Sequence, residues 1–317
     1  MAPDMDSSGA WTRTGQHASS KEALFKENLV SRSEFERLVS FEFADMNHVN
    51  PAWHGQFDFV WSTCSLEHVG SISLGQRFAL QSMELLKPGG AAVHTAEFTL
   101  SSLEETIERG MTVLWRKSDV EQLWRDHTAL GYAIEEPCWD AGSHLNDVTP
   151  DLPPFGNGQK KAHIKLMLDN HVCTSVGWVA RKAAPSLPPS QFLPAIEPPP
   201  AGGMILPEFA SEAPCVTGDP RQPRLATHYE CVGPAAERIM AALGQPKPIP
   251  HRKQWEYMYI VQALEVLGML RQGRRGAVFA ASEEPLISYF ASKGVEILAT
   301  DMAPDMDSTG AWTRTGQ

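Results

Sequence analysis

Four polar residues stand shortly after segments that have the composition of buried strands. Asp45 and Asp301 each follow a short apolar run, and Glu67 and His68 come after the run 57–64 (FDFVWSTC). Ligands of open α/β sheets bind at the carboxyl ends of the strands. These four side chains are therefore the first candidates for ligand binding and for proton transfer.

Asp301 closes a pattern that is typical of nucleotide-binding folds. The strand 277–281 is followed by Ser282 and by a helix with Pro285 in its first turn, and the acid comes about 20 residues later. The helix start can face a ligand with its free amides, and the acid can bind the hydroxyls of a ribose. The alternative is structural, because an aspartate at a strand end often only caps a turn.

Glu67 and His68 form the candidate proton-transfer pair. His68 is the candidate base, and Glu67 would orient it or contact the substrate. In the alternative interpretation the two residues begin a helix, with the acid near the helix dipole and the histidine in solvent. His94 lies in an apolar strand and is interpreted as a packed, hydrogen-bonded side chain. No spacing of Cys, His, Asp or Glu residues indicates a metal site.

Alternating strands and helices must position these residues. The predicted strands are 39–44, 57–64, 91–98, 277–281 and 295–300. The predicted helices begin near Ser19, Ser31, Ser73 and Ser118, and further helices span 254–270 and 284–293. This alternation predicts an α/β fold with a mostly parallel sheet.

Two further segments divide the chain. The runs 163–169 and 172–181 alternate across a tight turn, which predicts an antiparallel hairpin. Residues 183–223 hold 11 of the 24 prolines and are predicted to form an extended linker. The predicted organisation is therefore a first part, 1–182, the linker, and a second part, 224–317.

The two ends of the chain repeat one another. Residues 1–16 (MAPDMDSSGAWTRTGQ) and 302–317 (MAPDMDSTGAWTRTGQ) differ only at Ser8 and Thr309. Unrelated sequence separates the two copies, which is unlike the repeats of a solenoid or a propeller.

Composition limits the class of protein. The 317 residues carry a formal charge of −11 and five cysteines with no CxxC pair. The acidic balance argues against nucleic acid as a partner, and no apolar run reaches the roughly 18 residues of a membrane span. The odd number of cysteines predicts reduced thiols and a cytoplasmic location.

The segments around the candidate site resemble class I S-adenosylmethionine-dependent methyltransferases. Phe57–Gly70 (FDFVWSTCSLEHVG) is similar to the fourth motif of that family, and Leu85–Thr95 (LLKPGGAAVHT) is similar to the helix stop and fifth strand that follow it. The resemblance covers 17–182 and about 250–301. It implies a Rossmann-like, seven-stranded, mostly parallel sheet whose last strand is antiparallel and belongs to the hairpin.

The resemblance also implies S-adenosylmethionine as cofactor. Asp301 matches the acid that binds the ribose hydroxyls, and Asp45 matches the acid near the adenine. The implied catalytic residues are His68 and Glu67. The implied cofactor-binding residues are Ala280, Ser282, Glu284, Asp301, Asp45, Met46 and Ser62. The implied reaction is methyl transfer to a small molecule, a sugar or a protein, and a small molecule is favoured.

The strands occur in an order that the family does not have. The family's third to seventh strands match 39–181, and its first two strands match 277–300, after the linker. The chain is therefore either circularly permuted or a window across two tandem modules. In both cases the two parts can complete one sheet, and a domain-swapped homodimer would satisfy the same pairings.

The turn after the family's first strand lacks glycine. Ala280 and Ser282 stand where a glycine-rich turn is usual, and neither tolerates positive φ well. Glu283 adds negative charge there. A catalytically degenerate methyltransferase-like module is therefore the alternative function. A nicotinamide dehydrogenase is less well supported, because the GxGxxG turn is absent.

Overall fold

The computed structural model describes residues 17–153, 155, 162–183, 209, 219–245 and 247–303. Its strands are β1 (Val39–Phe43), β2 (Phe57–Ser62), β3 (Leu86–Thr99), β4 (Ala133–Ile134), β5 (Leu166–Leu168), β6 (His171–Arg181), β7 (Arg224–Leu225), β8 (Arg275–Phe279) and β9 (Glu296–Asp301).

Helices connect and cover these strands. They are α1 (Arg32–Leu38), α2 (Ile72–Ser82), α3 (Lys117–Ala129), α4 (Leu145–Val148), α5 (His228–Val232), α6 (Pro234–Ala242), α7 (Arg252–Val266) and α8 (Leu286–Ser292). Short 3-10 turns span Lys21–Leu24, Pro51–Trp53, Leu66–His68 and Met83–Leu85.

One sheet holds all of the strands. Its order is β1-β9-β8-β2-β3-β6-β4, and β5 and β7 also pair with β6. Strands β1, β9, β8, β2 and β3 run parallel, whereas β6 is antiparallel to β3, β4, β5 and β7. The fold is therefore mixed α/β with a mostly parallel sheet, and this part of the prediction is confirmed.

Both parts of the chain meet in the middle of the sheet. Strands β8 and β9 lie between β1 and β2, so that Val39 pairs with Ile297 and Phe59 pairs with Gly276. Gly276 permits this contact, because a Cβ there would lie 2.5 Å from the ring of Phe59. The pairing of the two parts occurs within a single chain.

Apolar side chains alternate between two helical layers. Phe59 and Trp61 of β2 face the layer that contains α1, α6, α7 and α8, whereas Phe57 and Val60 face the layer of α2 and α3. In the first layer, Phe290 packs edge-on against Trp61 with ring centroids 5.1 Å apart. Both faces of the central strands are thus covered, as parallel strands require.

Three of the predicted helix starts differ from the structure, and near Ser19 only the 3-10 turn Lys21–Leu24 forms, after Ser20. Ser31 caps α1 as predicted, through a bond from Glu34 N to its Oγ (3.3 Å). Helix α2 is capped by Ser71 rather than Ser73, and α3 follows Arg116 rather than Ser118. Ser71 is favoured because it forms a backbone bridge with Arg109, which holds the start of α2 to the loop after β3.

The segment Lys87–Gly90 does not stop a helix directly. Helix α2 ends at Ser82 and a 3-10 turn follows, so that this segment forms the first residues of β3. Lys87 Nζ binds Asp58 Oδ2 at 2.8 Å, and Gly89 N donates to Lys182 O. Contacts with neighbouring strands therefore override the local stop signal.

Three segments that the sequence analysis singled out lie wholly or mostly outside the described residues. These are both copies of the repeated segment, apart from Met302 and Ala303, and most of the linker 183–223. Within that linker, Phe209 is fully buried against Phe98, and its carbonyl accepts a bond from Ala141 N (2.9 Å). At least one linker residue is thus part of the core.

Cysteine chemistry differs from the prediction at one position. Cys138 is disulfide-bonded, so the expectation of reduced thiols is wrong there. Cys64, Cys173 and Cys231 are free and buried. Across the described ranges, no helix combines the length and the apolar character that a membrane span needs.

Candidate active site

The carboxyl ends of four parallel strands meet at one edge of the sheet. Phe43 at the end of β1 pairs with Asp301 at the end of β9. Phe279 at the end of β8 pairs with Thr300 and, on its other side, with Ser62 at the end of β2. The segments that contain the predicted site residues therefore start side by side along this edge.

The turn after β8 has a backbone conformation that usually requires glycine. Ala280 has a φ of 54° and Ser282 a φ of 41°. Cys64, which follows β2 at the same edge, has a φ of 47°. Each such residue with a Cβ costs about 1 kcal/mol or more, and strain of this kind concentrates at functional sites. The turn therefore has the positive φ angles of a glycine-rich turn although it contains no glycine.

The carboxylate of Asp301 is engaged by the backbone of the chain itself. Its Oδ2 accepts bonds from Ala18 N (2.7 Å) and Ser282 N (3.2 Å), and its Oδ1 accepts one from Met302 N (2.8 Å). Burial raises the pKa of Asp301, although these bonds act in the opposite direction. In this arrangement Asp301 ties the turn after β8 to the segment that begins at residue 17.

His17 lies at the same junction. Its Nε2 is 2.6 Å from Met302 O and 3.8 Å from Asp301 Oδ1. Residues that are far apart in sequence, 17–18 and 301–302, are therefore in direct contact.

Asp45 forms a local turn. Its Oδ1 accepts a bond from Asn47 N (2.7 Å), and its Oδ2 lies 2.6 Å from His48 Nδ1. The carboxylate is partly exposed, so it can still meet a ligand. Met46 is buried in the core with Trp53, where it supports the turn rather than presenting a polar atom.

Ser62 belongs to a buried hydrogen-bond chain. Its Oγ lies 2.8 Å from His94 Nδ1, and His94 Nε2 lies 3.0 Å from Ser82 Oγ. Burial lowers the pKa of His94 to about 3, so the ring stays neutral. The hydroxyl of Ser62 is therefore used inside the core, as the interpretation of His94 as a packed side chain requires.

Glu284 is buried beside the strained turn. It is 2% exposed, and its Oε1 accepts a bond from Trp61 Nε1 (3.2 Å). Its Oε2 has no hydrogen-bond partner among the residues that the structure describes. Burial raises the pKa of Glu284 to about 7.

Glu67 lies in the 3-10 turn Leu66–His68 and is fully buried. Neither of its carboxylate oxygens has a hydrogen-bond partner within the described part of the chain. Burial raises its pKa to about 7. Ordinary buried carboxylates are paired, so Glu67 has the properties of a group that is held ready for a ligand or a proton.

His68 is oriented by the backbone. Its Nδ1 lies 2.8 Å from Met111 O and 3.3 Å from Thr112 Oγ1, so Nδ1 carries the proton that the Met111 carbonyl accepts. Burial lowers its pKa to about 4. The ring is therefore neutral at pH 7 and a weak proton acceptor.

Four further charged residues extend the site beyond the prediction. We call Glu67, Glu97, Arg252, Lys253 and Glu256 the buried charged cluster, in which the three carboxylates are buried and Lys253 is partly exposed. Arg252 Nη2 lies 3.2 Å from Glu97 Oε2, and Arg252 Nη1 lies 3.6 Å from Glu256 Oε1. Lys253 Nζ lies 2.8 Å from Glu256 Oε2. Strand β3 and the first turn of α7 thus face the segment after β2.

Cys64 joins this cluster to the strained edge. Its thiol donates to Glu256 Oε1 at 2.9 Å, and the hydroxyl of Ser175 donates to the same oxygen. Burial opposes the ionisation of Glu256, but Lys253 and Arg252 outweigh it and lower its pKa. Burial raises the pKa of Glu97 despite the neighbouring Arg252. In the described ranges, no group of three or more His, Cys, Asp or Glu residues is arranged to hold a metal.

The sequence contains a weak signal for the cluster. Glu97 is a charged residue inside the apolar run 91–98, and Arg252 precedes Glu256 by one helical turn. A charge in a buried strand needs a partner. That partner could not be identified from spacing, because it lies about half the chain away.

No family model and no curated protein matches the chain. Two solved structures of a putative DNA modification methylase from Thermus thermophilus are similar. The first is 10% identical, covers 88% of this chain and 96% of its own, and has a TM-score of 0.35. The second, complexed with S-adenosylmethionine, is 12% identical, covers 87% and 95%, and has a TM-score of 0.34.

One prediction is corrected by this comparison. The acidic net charge predicted that nucleic acid is not a partner, whereas both similar structures are described as DNA modification methylases. Net charge describes the whole surface and does not exclude a local site for nucleic acid.

Proposed function

We propose that the protein transfers the methyl group of S-adenosylmethionine to an acceptor at the carboxyl edge of its sheet. The observation that carries this proposal is the position of β8 between β9 and β2. It brings the turn after β8, the acid Asp301 and the segment Cys64–His68 to one edge, as the resemblance requires.

The proposal includes a circular permutation of the methyltransferase sheet. In the family order, Asp301 would lead through one copy of the repeated segment into His17. The contacts between Met302 and His17 and between Asp301 and Ala18 support this, because the two segments meet in space. The antiparallel strand β6, with the turn at Asp169 and Asn170, would then be the family's last strand.

The cofactor fits this edge in part. The strained turn has the backbone conformation that allows a ligand to approach closely. The unpartnered Oε2 of Glu284 can accept a hydrogen bond from a cationic group. Asp45 is partly exposed and can bind an amino group. Bound S-adenosylmethionine would supply an electrophilic methyl group to the acceptor.

Asp301 and Ser62 have different roles in this proposal. Asp301 holds Ala18 and Ser282, so that a ribose could reach its carboxylate only beside or in place of Ala18. Ser62 would contact a ligand through its backbone, since His94 binds its hydroxyl.

Glu67 is better suited than His68 to accept a proton. Its pKa of about 7 matches the pH at which a general base works well. His68, with a pKa of about 4 and its Nδ1 proton directed to Met111, would position the segment and the acceptor. The predicted pair is retained with the two roles exchanged.

A catalytically degenerate module remains a second candidate, because Ala18 occupies the carboxylate that should hold the ribose. Equilibrium dialysis with tritiated S-adenosylmethionine separates the two functions. We expect saturable binding that Glu284→Gln weakens about tenfold or more, as for loss of a hydrogen bond to a charged group. Absence of binding by a cooperatively folding protein would support the degenerate module.

A further inference from the structure

The buried charged cluster contains carboxylate oxygens that nothing on the described chain satisfies. Both oxygens of Glu67 and Oε1 of Glu97 lack hydrogen-bond partners, although Glu67 is fully buried and Glu97 is 4% exposed. The hydroxyl of Ser65, two residues from Glu67, is also buried without a partner. Buried polar atoms are nearly always paired in folded proteins, so the three oxygens of Glu67 and Glu97, two groups that repel one another, indicate a missing ligand.

These atoms lie in front of the carboxyl end of β2. Ser62, its last residue, pairs with His94, and β3 continues for five residues to Thr99. Glu97 stands on this extension, opposite Ser175 of β6, and the first turn of α7 covers it through Arg252. Glu97 and Glu67 therefore lie on the extension of β3 and on the segment after β2, next to the strained edge where the cofactor is proposed to bind.

The cations of the cluster are already engaged. Arg252 contacts Glu97 Oε2 and Glu256 Oε1, and Lys253 contacts Glu256 Oε2. The single thiol proton of Cys64 is donated to Glu256. Both cations also act on Glu67 electrostatically, but among the described residues no hydrogen bond joins either of them to its carboxylate. A cation beside Glu67 and Glu97 would oppose the burial that raises their pKa values and would favour the charged form of both carboxylates.

The number of unpartnered oxygens limits the chemistry of the ligand. A hydroxyl carries one proton and no charge, so it would satisfy one of these oxygens. A primary ammonium carries three N–H donors and one positive charge. Charge-assisted bonds of this type are also stronger than neutral ones in a buried site. The three N–H donors of the ammonium match the three oxygens of Glu67 and Glu97, and its charge favours the ionised form of both groups.

We propose that the methyl acceptor is a basic primary amine, which binds as its ammonium form between Glu67 and Glu97. This inference rests on the proposed function. An N–H bond of the ammonium breaks and its proton passes to the Glu67 carboxylate, which leaves a lone pair on nitrogen. That lone pair forms the N–C bond while the methyl–sulfur bond breaks, and its electron pair stays on sulfur. The product is a secondary ammonium and a neutral thioether.

The subsite can be tested separately from the reaction. Methylammonium chloride has the charge and the N–H donors of the proposed ligand, whereas tetramethylammonium chloride has the charge alone. At matched ionic strength, we expect methylammonium to raise Tm by about 2 °C at roughly ten times its Kd. Tetramethylammonium should leave Tm unchanged. Equal effects of the two salts would overturn the proposal.

Variants localise the effect. Glu67→Gln should remove the response to methylammonium, and the matched exposed change Glu105→Gln should preserve it. If Glu67→Gln does not fold, Glu97→Gln provides the same comparison from the other side of the subsite. A full methylammonium response in either folded cluster variant would contradict the assignment of Glu67 and Glu97.

Methyl transfer completes the test. Tritiated S-adenosylmethionine is incubated with the protein and putrescine, agmatine or spermidine, and in parallel with 1,4-butanediol and duplex DNA. Label in an amine supports the inference. Label in DNA or the diol, with none in any amine, overturns the amine acceptor but leaves the proposed function intact. Absence of S-adenosylmethionine binding, with a retained methylammonium response, defeats the proposed function and leaves only the cation subsite.

Discussion

Glu67 is fully buried, and its pKa of about 7 places its change of charge within the ordinary assay range. Because burial raises this pKa above the unfolded value of 4.5, the folded protein keeps a proton that the unfolded chain releases. The stability contributed by the protonated group is present below pH 4.5 and is lost as the pH rises to about 7. Glu284 behaves in the same direction.

The first prediction concerns this pH dependence. Between low pH and pH 8, ionisation of Glu67 should lower the free energy of unfolding of the wild type by up to about 3 kcal/mol. The Glu67→Gln variant should lack this decrease. The groups that act on Glu67 electrostatically are Cys64, Glu97, Arg252, Lys253 and Glu256, and His68 follows it in the chain. Because these groups also titrate or carry charge, only the difference between wild type and variant isolates the contribution of Glu67. Urea unfolding at a series of pH values measures it, and parallel curves for the two proteins would contradict the buried-acid interpretation.

The second prediction separates the two members of the predicted pair. Glu67→Gln should lower methyl transfer about 10²-fold or more, as for loss of a general base. His68→Gln should lower it less than about tenfold, because His68 acts through position. Binding of S-adenosylmethionine serves as the control and should persist in both variants. A larger loss for His68→Gln would restore the original assignment of His68 as base.

The third prediction concerns the strained turn. Ala280→Gly and Ser282→Gly should each stabilise the protein by about 0.5–1 kcal/mol, since glycine adopts positive φ without strain. Ala281→Gly is the matched control, because Ala281 lies between them, is buried and has no positive φ. Chemical unfolding should show a loss of stability for the control. Destabilisation by all three changes would mean that the side chains at 280 and 282 contribute packing.

Sequence could locate this site but could not assign its atoms. Strand-end positions predicted the edge on which Asp45, Asp301 and Glu67 lie. The hydrogen bond from Ala18 to Asp301 was not predictable, because the two residues are separated by most of the chain. The hydrogen bond between Ser62 and His94 was not predictable either, because it depends on which face of the sheet each side chain points to.

At the scale of elements, the ion pairs of Arg252 hold the start of α7 to β3. Arg252 is mostly buried, and it contacts Glu97 and Glu256. Removing one partner of a buried pair leaves an uncompensated charge, which is strongly destabilising.

The fourth prediction follows from this contact. Arg252→Met should destabilise the protein by about 3 kcal/mol, and adding Glu97→Gln should recover part of that loss. Arg238→Met, which breaks the exposed pair with Glu265, should cost less than about 1 kcal/mol. Thermal and urea unfolding measure the stability of the two single variants and of the double variant relative to the wild type. Equal losses for Arg252→Met and Arg238→Met would show that the cluster contributes no more than a surface ion pair.

Element types were more predictable than element boundaries. The apolar runs located β1, β2, β8 and β9 to within two residues, because buried parallel strands are continuous in apolar character. The start of α2 and the fate of Lys87–Gly90 depended on pairing with distant segments. The two-residue strands β4 and β7 carry too few residues for any periodicity, and Phe209 sits in a proline-rich segment whose composition predicts no core.

At the scale of the whole molecule, the fifth prediction concerns a circular permutant in which the two parts of the chain exchange their order. A chain that begins at Pro185, runs to Gln317, continues into His17 and ends at Ala184 should unfold within about 1 kcal/mol of the original. It keeps every described pairing, including Phe209, and uses one copy of the repeated segment as its connection. Urea unfolding measures this, and an insoluble or much less stable product would contradict the proposed permutation.

The insertion of β8 and β9 between β1 and β2 also has a consequence for synthesis on the ribosome. Strands β1, β2 and β3 leave the exit tunnel long before their central neighbours exist, so two hydrogen-bonding edges stay open while more than 200 residues are added. Contacts between such distant residues make folding slow. The nascent chain therefore passes through a long interval in which a second, identical chain can supply the missing strands, and chaperone dependence is expected to be greatest there.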